Sequence, residues 1–217
     1  MTILDAHLSR PLEGGPSFSL GNRLFRAVWR IAWRCLASWT PPAFRGWRRG
    51  LLVAFGARLA PSADVRSSAR IWYPPHLSMG AQAVIGPEVV CYNIAPVEIG
   101  CRTIVSQRAH LCTGSHDLSD RHFQLVARSI TLEDDVWIAA EAFVGPGVVA
   151  REGSVLAARG AIFGDLQPWT VYRGNPAQPV KTRKFRPAEQ ISTKSAPQSR
   201  ELFEPQNPIW PWDILSS

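Results

Sequence analysis

Apolar residues recur along the middle of this chain with a period of six. The beat starts at Met79, Ile85 and Cys91, slips by two residues, and resumes at Ile99, Val105 and Leu111. After a longer break it returns at Leu132, Ile138, Val144, Ala150, Leu156 and Ile162. A second track, four residues behind, holds small or β-branched residues: Ala83, Val89, Ala95, Thr103, Ala109, Ser115, Val136, Ala142, Val148, Ser154 and Gly160. Leu166 breaks that track at its end. Weaker copies at Leu59/Ala63, Val65/Ala69 and Ile71/Pro75 extend the pattern upstream. Six is neither the period of a helix nor that of an alternating strand. It fits a chain that bends at a regular interval, with short strands on three sides of a prism, aliphatic residues on the axis and small ones at the corners. Three hexapeptides then close one coil of roughly 18 residues, and each coil buries its inner face only against its neighbours. The pattern predicts a mainly β protein, a parallel solenoid of about five coils. Gly80, Gly86, Gly100 and Gly145, each directly after an axial residue, are expected at tight corners.

The chain divides accordingly into a flexible N-terminus (1–20), a basic Trp-rich segment (21–58), the solenoid (59–186) and a Pro-rich tail (187–217). A polar stretch at 117–129 interrupts the beat and is expected to leave the coil as a loop. Upstream, N-R-L-F-R-A-V-W-R-I-A-W-R-C-L-A-S from Asn22 to Ser38 predicts a helix capped by Asn22 or Gly21 and ending before Pro41-Pro42. A second helix is expected over 43–55. Arg23, Arg26, Arg30 and Arg34 are three and four residues apart and share a helix face. Basic amphipathic helices carrying Trp suit an anionic membrane surface. The alternative is that their apolar faces pack on the first coil, and both hold if one face packs while the basic face meets lipid.

Composition refines this picture. With 46% hydrophobic residues among 217, the chain is neither disordered nor collagen-like. Its formal charge of +7 is local: residues 21–58 hold eight Arg and no acid, whereas Val65 to Gln178 is close to neutral. No nucleic-acid-binding motif accompanies the charge, so no nucleic-acid partner is expected. Cys35, Cys91, Cys101 and Cys112 are scattered singly, which points to neither zinc nor a disulfide framework. The first twenty residues lack the apolar core of a secretory signal, so a cytoplasmic setting is expected, with peripheral contact at the inner face of the plasma membrane.

Several stretches carry a more specific resemblance. S-Q-R-A-H-L-C-T-G-S-H-D from Ser106 to Asp117, V-W-I-A from Val136, P-G-V from Pro146, R-G-N-P from Arg173 and W-R-R-G-L-L-V-A-F-G-A from Trp47 resemble the colanic-acid-type exopolysaccharide acetyltransferases. These are hexapeptide-repeat acyltransferases, and the resemblance covers roughly residues 20 to 186. It implies a left-handed β-helix, a homotrimer with the active site between subunits, acetyl-CoA as donor and a sugar hydroxyl as acceptor, lipid-linked or nucleotide-linked.

Acetyl transfer from a thioester to a hydroxyl needs a base for the hydroxyl proton and a donor for the tetrahedral oxyanion. An imidazole is the usual base. His116, in G-S-H-D, stands where the family places its catalytic His; Asp117 either orients that imidazole or caps the departing loop. By the same resemblance, coenzyme A lies in a groove between coils, against Ala140, Ala158 and Gly164. The usual Gly-Ala-Gly is Ala157-Ala158-Arg159 here, and a Thr-Lys pair is replaced by Phe163-Gly164. Arg159, Lys181, Arg183 and Lys184 are then the cations available to its 3′-phosphate. Tyr92 and Asn93 fall where relatives place polar groups near the sugar, a turn role being the alternative for Asn93.

Two other readings compete. His76, His110, His116 and His122 suggest the zinc-dependent, carbonic-anhydrase-like branch of the same fold. His110 and His116 occupy the same slot of successive hexapeptides, which turns them apart by about a third of a circle, and no metal is expected. A non-catalytic assembly protein of a membrane polysaccharide complex is the second rival.

Overall fold

The six-residue beat builds a three-sided prism. We describe residues 17–184 from a computed structural model of the chain; the expected N-terminal arm up to residue 16 and the tail 187–217 lie outside the described residues. The first face stacks β1 (Arg58–Leu59), β4 (Leu77–Met79), β7 (Val97–Ile99), β12 (Ile130–Leu132) and β15 (Val149–Ala150). The second stacks β2 (Asp64–Val65), β5 (Val84–Ile85), β8 (Ile104–Val105), β13 (Trp137–Ile138), β16 (Val155–Leu156) and β18 (Thr170–Gly174). The third stacks β3 (Arg70–Ile71), β6 (Val90–Tyr92), β9 (His110–Cys112), β14 (Phe143–Val144) and β17 (Ala161–Ile162). All these pairings are parallel. Five full coils form, and β18 begins a sixth. β19 (Ala177–Thr182) turns back antiparallel on β18 and closes the C-terminal end.

All twelve axial residues are buried, none more than 7% exposed. The corner track is buried too, apart from Ala95 and Ser115, which belong to one edge. That edge absorbs every irregularity of the coil. From first to second face, and from second to third, the axial spacing is six in every coil, as at Met79, Ile85 and Cys91. From third back to first it is eight (Ile71 to Met79), eight (Cys91 to Ile99), then 21 (Leu111 to Leu132), then six (Val144 to Ala150). Insertions collect there because extra residues at one corner leave the other two registers intact.

The corners correct one expectation. At the coil corners Gln82, Glu88, Arg102, Arg108, Asp135, Glu141 and Arg159 take the left-handed region, with φ of 57–60°, and Trp169 joins them at 53°. The glycines after axial residues serve close approach instead. A Cβ on Gly100 would stand 2.5 Å from the Glu133 carbonyl carbon, and one on Gly80 would stand 2.8 Å from the Cys101 nitrogen. The left-handed residues stack coil on coil as ion pairs: Arg102 grips both oxygens of Asp135 at 2.8 and 2.6 Å, and Glu141 bridges Arg108 and Arg159. The paired guanidinium holds the Asp135 carboxyl below its ordinary range. Exposed pairs of this kind contribute little to stability, because solvent screens them. They set corner spacing more than stability.

Two helices close the open end of the prism. Helix α1 runs Leu20–Leu36 and α2 runs Arg45–Ala54, after a 3-10 turn at Pro42–Phe44. The cap of α1 is Ser19, whose hydroxyl accepts from the Asn22 N–H, not Asn22 or Gly21 as expected. On the first coil the N–H groups of Asp64, Arg66, Arg70 and Trp72 all donate to the second coil, which leaves its carbonyls with no preceding coil to bond. Helix side chains take that place. The indole of Trp29 donates to Ile71 (2.7 Å), that of Trp33 to Ser67 (3.2 Å), Arg48 to Val65 (2.7 Å) and Arg49 to Leu59 and Ala60. An uncovered parallel edge would cost unpaired backbone groups and invite aggregation. Packing on the first coil is therefore one role of this segment.

His110 points outward from β9 against the Phe143 ring at 5.3 Å, half-buried, and its Nε2 has no hydrogen-bond partner. Burial lowers its pKa, as it does for His76. A base with a depressed folded pKa stabilises the fold above its unfolded value near 6.5, and that stability is lost as pH falls below it. Tm is therefore expected to fall between pH 7.5 and 5.5. His110→Gln should flatten that slope, and an unchanged slope would contradict the assignment.

Candidate active site

The long excursion at the third corner builds the site. Thr113 ends the coil: its hydroxyl and N–H both donate to the Tyr92 carbonyl. The chain then leaves as a hairpin of β10 (Gly114–His116) and β11 (Leu125–Ala127), paired with His116 opposite Leu125. The base closes where Arg128 N–H returns to the Thr113 carbonyl at 2.9 Å, and Ile130 re-enters the coil on Pro96. The excursion thus begins three residues before the expected 117. His116 consequently does not share a coil slot with His110, because the hexapeptide run stops at Thr113 and Ser115 is exposed on the hairpin.

His116 is exposed, stacked face to face on Phe123 at 4.3 Å and 11°. Its Nδ1 lies 2.9 Å from the Phe123 carbonyl oxygen. A carbonyl only accepts, so Nδ1 carries the proton, and in the neutral ring Nε2 is the nitrogen with the lone pair. The tip of the hairpin that supplies this carbonyl is held by Asp117. The Asp117 carboxylate accepts from the Ser119 N–H at 2.9 Å, and its own N–H donates to Gln124. Of the two roles open to Asp117, the structure places the carboxylate on the loop and gives the imidazole a backbone partner. Ser115, His116, Asp117, Leu118, Val126, Ala127, Arg128 and Pro146 enclose a cleft of about 490 Å³. Phe123 and Arg128 were not assigned to the site from the sequence, and Pro146 entered there only through the P-G-V motif. Phe123 left one further signal, an aromatic residue in a polar stretch.

Other expected residues are spread over the three corners. Ala140 and Ala158 stack at the second corner, where the Ala140 carbonyl accepts from the Arg159 N–H, and the Arg159 guanidinium is engaged by Glu141 at 2.7 Å. Gly164 lies at the third corner, one coil beyond Pro146, with open space where a Cβ would be. Lys181 is exposed on β19 opposite Val171. Arg183 donates to the carbonyls of Asp135 (2.6 Å) and Gly153 (3.0 Å) at the first corner, clamping the C-terminal strand to the coil. The chain thus spreads these donor-site candidates over three corners.

Tyr92 is half-buried, its ring edge-on to Trp72 at 5.5 Å, and burial raises its pKa. Asn93 is a correction. It is fully buried, with its Oδ1 accepting from Tyr73 N–H (2.9 Å) and its Nδ2 donating to Tyr73 O (2.8 Å). Its amide replaces a strand ladder across the enlarged corner, and its complete burial keeps it out of a sugar's reach. Asn93→Ala is expected to lower stability by about 2 kcal/mol while leaving the acceptor KM unchanged; a raised KM with intact stability would restore it to the binding site. The four His are also apart in role, His76 bonding the Ile94 carbonyl, and no cluster of three or more metal-ligating side chains exists among the described residues.

A three-sided prism of six-residue repeats is the architecture of the hexapeptide-repeat acetyltransferases. The colanic acid biosynthesis acetyltransferase WcaF, as the protein of Escherichia coli K12 is named, is 36% identical over 166 residues, covering 76% of this chain and 91% of that one. Among solved structures, the acetyl-CoA complex of the hexapeptide-repeat acetyltransferase VCA0836 from Vibrio cholerae superposes with a TM-score of 0.68 at 23% identity, over 82% of this chain and all of that one. A galactoside acetyltransferase bound to coenzyme A reaches a TM-score of 0.70 at 16% identity, over 78% and 86% of the two chains. No family model matches the chain. The chain belongs to the colanic-acid-type family of left-handed β-helix acetyltransferases.

Proposed function

We propose that the enzyme O-acetylates a sugar hydroxyl during assembly of an exopolysaccharide or other surface polysaccharide. The observation that carries the reading is His116, exposed in an open cleft with Nδ1 tied to a backbone carbonyl. The free Nε2 takes the hydroxyl proton as the sugar oxygen attacks the thioester carbonyl. The carbon–sulfur bond then breaks, and the proton passes from His116 to the departing coenzyme A sulfur. Phe123 orients the ring from both sides of its own residue, through its carbonyl and its stacked side chain.

The reading includes a homotrimer working in the cytoplasm. Apolar residues that point outward on the second face support it: Ile104 and Trp137 are each 45% exposed, between Val84 and Val155 in the same row. A neighbour covering that row would bring donor-site residues of two protomers together. Release of coenzyme A measured against nucleotide sugars and lipid-linked oligosaccharides tests the proposal. Acceptor-dependent release with acetyl recovered on a sugar oxygen is expected. No release with any sugar, or release only with amines, would sink it.

A further inference from the structure

The helices that seal the prism bury one apolar stripe and expose another. Trp29, Trp33 and Ala37 face the first coil, whereas Leu20, Leu24, Val28 and Ile31 are 57–66% exposed on the opposite side of α1. The spacing of four, four and three keeps these four in one row. Arg23, Arg30 and Arg34, all exposed, run between the two stripes. Beyond α1, Trp39, Phe44 and Trp47 are 70%, 50% and 52% exposed. The indole N–H groups of Trp39 and Trp47 already donate to the Cys35 and Leu36 carbonyls, so the rings leave no polar group unsatisfied if they enter an apolar medium. No helix among the described residues is long and apolar enough to cross a membrane.

We propose that this face docks on the anionic surface of a phospholipid bilayer, with α1 lying in the plane of the interface. Its row of Leu, Val and Ile enters the acyl boundary, the arginines reach lipid phosphates, and the Trp rings sit at headgroup level. Charge selects this occupant. A second copy meeting the same face about a two-fold axis would set unpaired arginines against each other, and residues 21–58 contain no acid to relieve them. An anionic surface instead gains about fivefold in binding for each arginine brought near it.

The docking also bears on the acceptor, and that part rests on the sugar-acetylation reading. β3 and β9 are two strand steps apart, about 10 Å, and a helix adds about 10 Å more. The cleft at the His116 coil therefore stands on the order of 20 Å from the lipid-facing side of α1. A sugar carried on a lipid headgroup spans such a distance.

Sedimentation with phosphatidylcholine vesicles, and with the same vesicles in which a third of the lipid is phosphatidylglycerol, tests the proposal on the full chain. Strong partition onto the anionic vesicles at low salt is expected, weakening as salt rises. The triple variant Arg23→Gln, Arg30→Gln, Arg34→Gln should lose about 100-fold. Leu24→Ser with Ile31→Ser should remove the part of the binding that salt leaves behind. Both variants should release coenzyme A with a soluble acceptor like the parent, so a failed acetylation reading shows in that assay and not in the vesicles. Equal partition onto both vesicle types overturns the proposal. So does wild-type binding by the triple variant, or a concentration-dependent dimer abolished by Leu24→Ser with Ile31→Ser.

Discussion

His116→Ala should abolish nearly all acetyl transfer while leaving the fold intact. Removing a positioned base costs about 10²- to 10⁴-fold in rate. The imidazole is exposed on a hairpin outside the coil, so its loss disturbs no axial packing. Coenzyme A release should fall to near background with unchanged circular dichroism and sedimentation. Asp117→Asn is the matched control. Its carboxylate holds the Ser119 N–H and not the imidazole, and an amide oxygen can still accept that bond. That variant should lose less than tenfold. If His116→Ala kept wild-type turnover, or if Asp117→Asn matched its loss, the division of roles between the two residues would be wrong.

The second large effect lies at the other end of the prism. Arg48 is completely buried. Its guanidinium donates to the Val65 and Pro41 carbonyls, to Thr40 Oγ1 and Pro42 O, and to Asp64 Oδ1 at 3.3 Å. One side chain thereby joins the loop before α2 to the first coil. Arg48→Met preserves much of the volume but strips the buried Val65 carbonyl and Thr40 hydroxyl of this donor and leaves Asp64 with Arg66 at 3.4 Å in its place, while Pro41 and Pro42 keep their backbone donors. Breaking a buried pair from one side costs about 3–5 kcal/mol, or a Tm lower by roughly 10 °C for a chain of this size. Arg49→Met, whose partners are only part-buried carbonyls, should cost much less. Equal melting of the Arg48 variant and the parent would show that the helices are not the seal proposed for the first coil.

These two residues mark how far the sequence could be read. The axial track was legible because a β-helix repeats one environment: every sixth side chain must fill the same dry axis. His116 was legible through its motif, but its partner was not. The group that orients the ring is a main-chain carbonyl, and carbonyls leave no trace in residue identity. Asn93 misled for a related reason. A polar residue beside a corner reads as a ligand contact, and only the coordinates show its amide spent on Tyr73. The arginines and tryptophans of 21–58 read as one amphipathic surface, yet the structure gives them opposite duties. Trp29, Trp33, Arg48 and Arg49 supply the N–H groups a missing coil would have supplied, while Trp39, Trp47 and the remaining exposed arginines face outward.

By itself, then, the sequence determined the coil, its length and the His that leaves it, because period and motif are local properties of a repeating backbone. The tertiary structure decided which corner takes every insertion, which carbonyl holds His116, and which cations are sealed inside. Those choices depend on the direction of hydrogen bonds between coils and on what lies against each side chain, and neither is written in the order of residues.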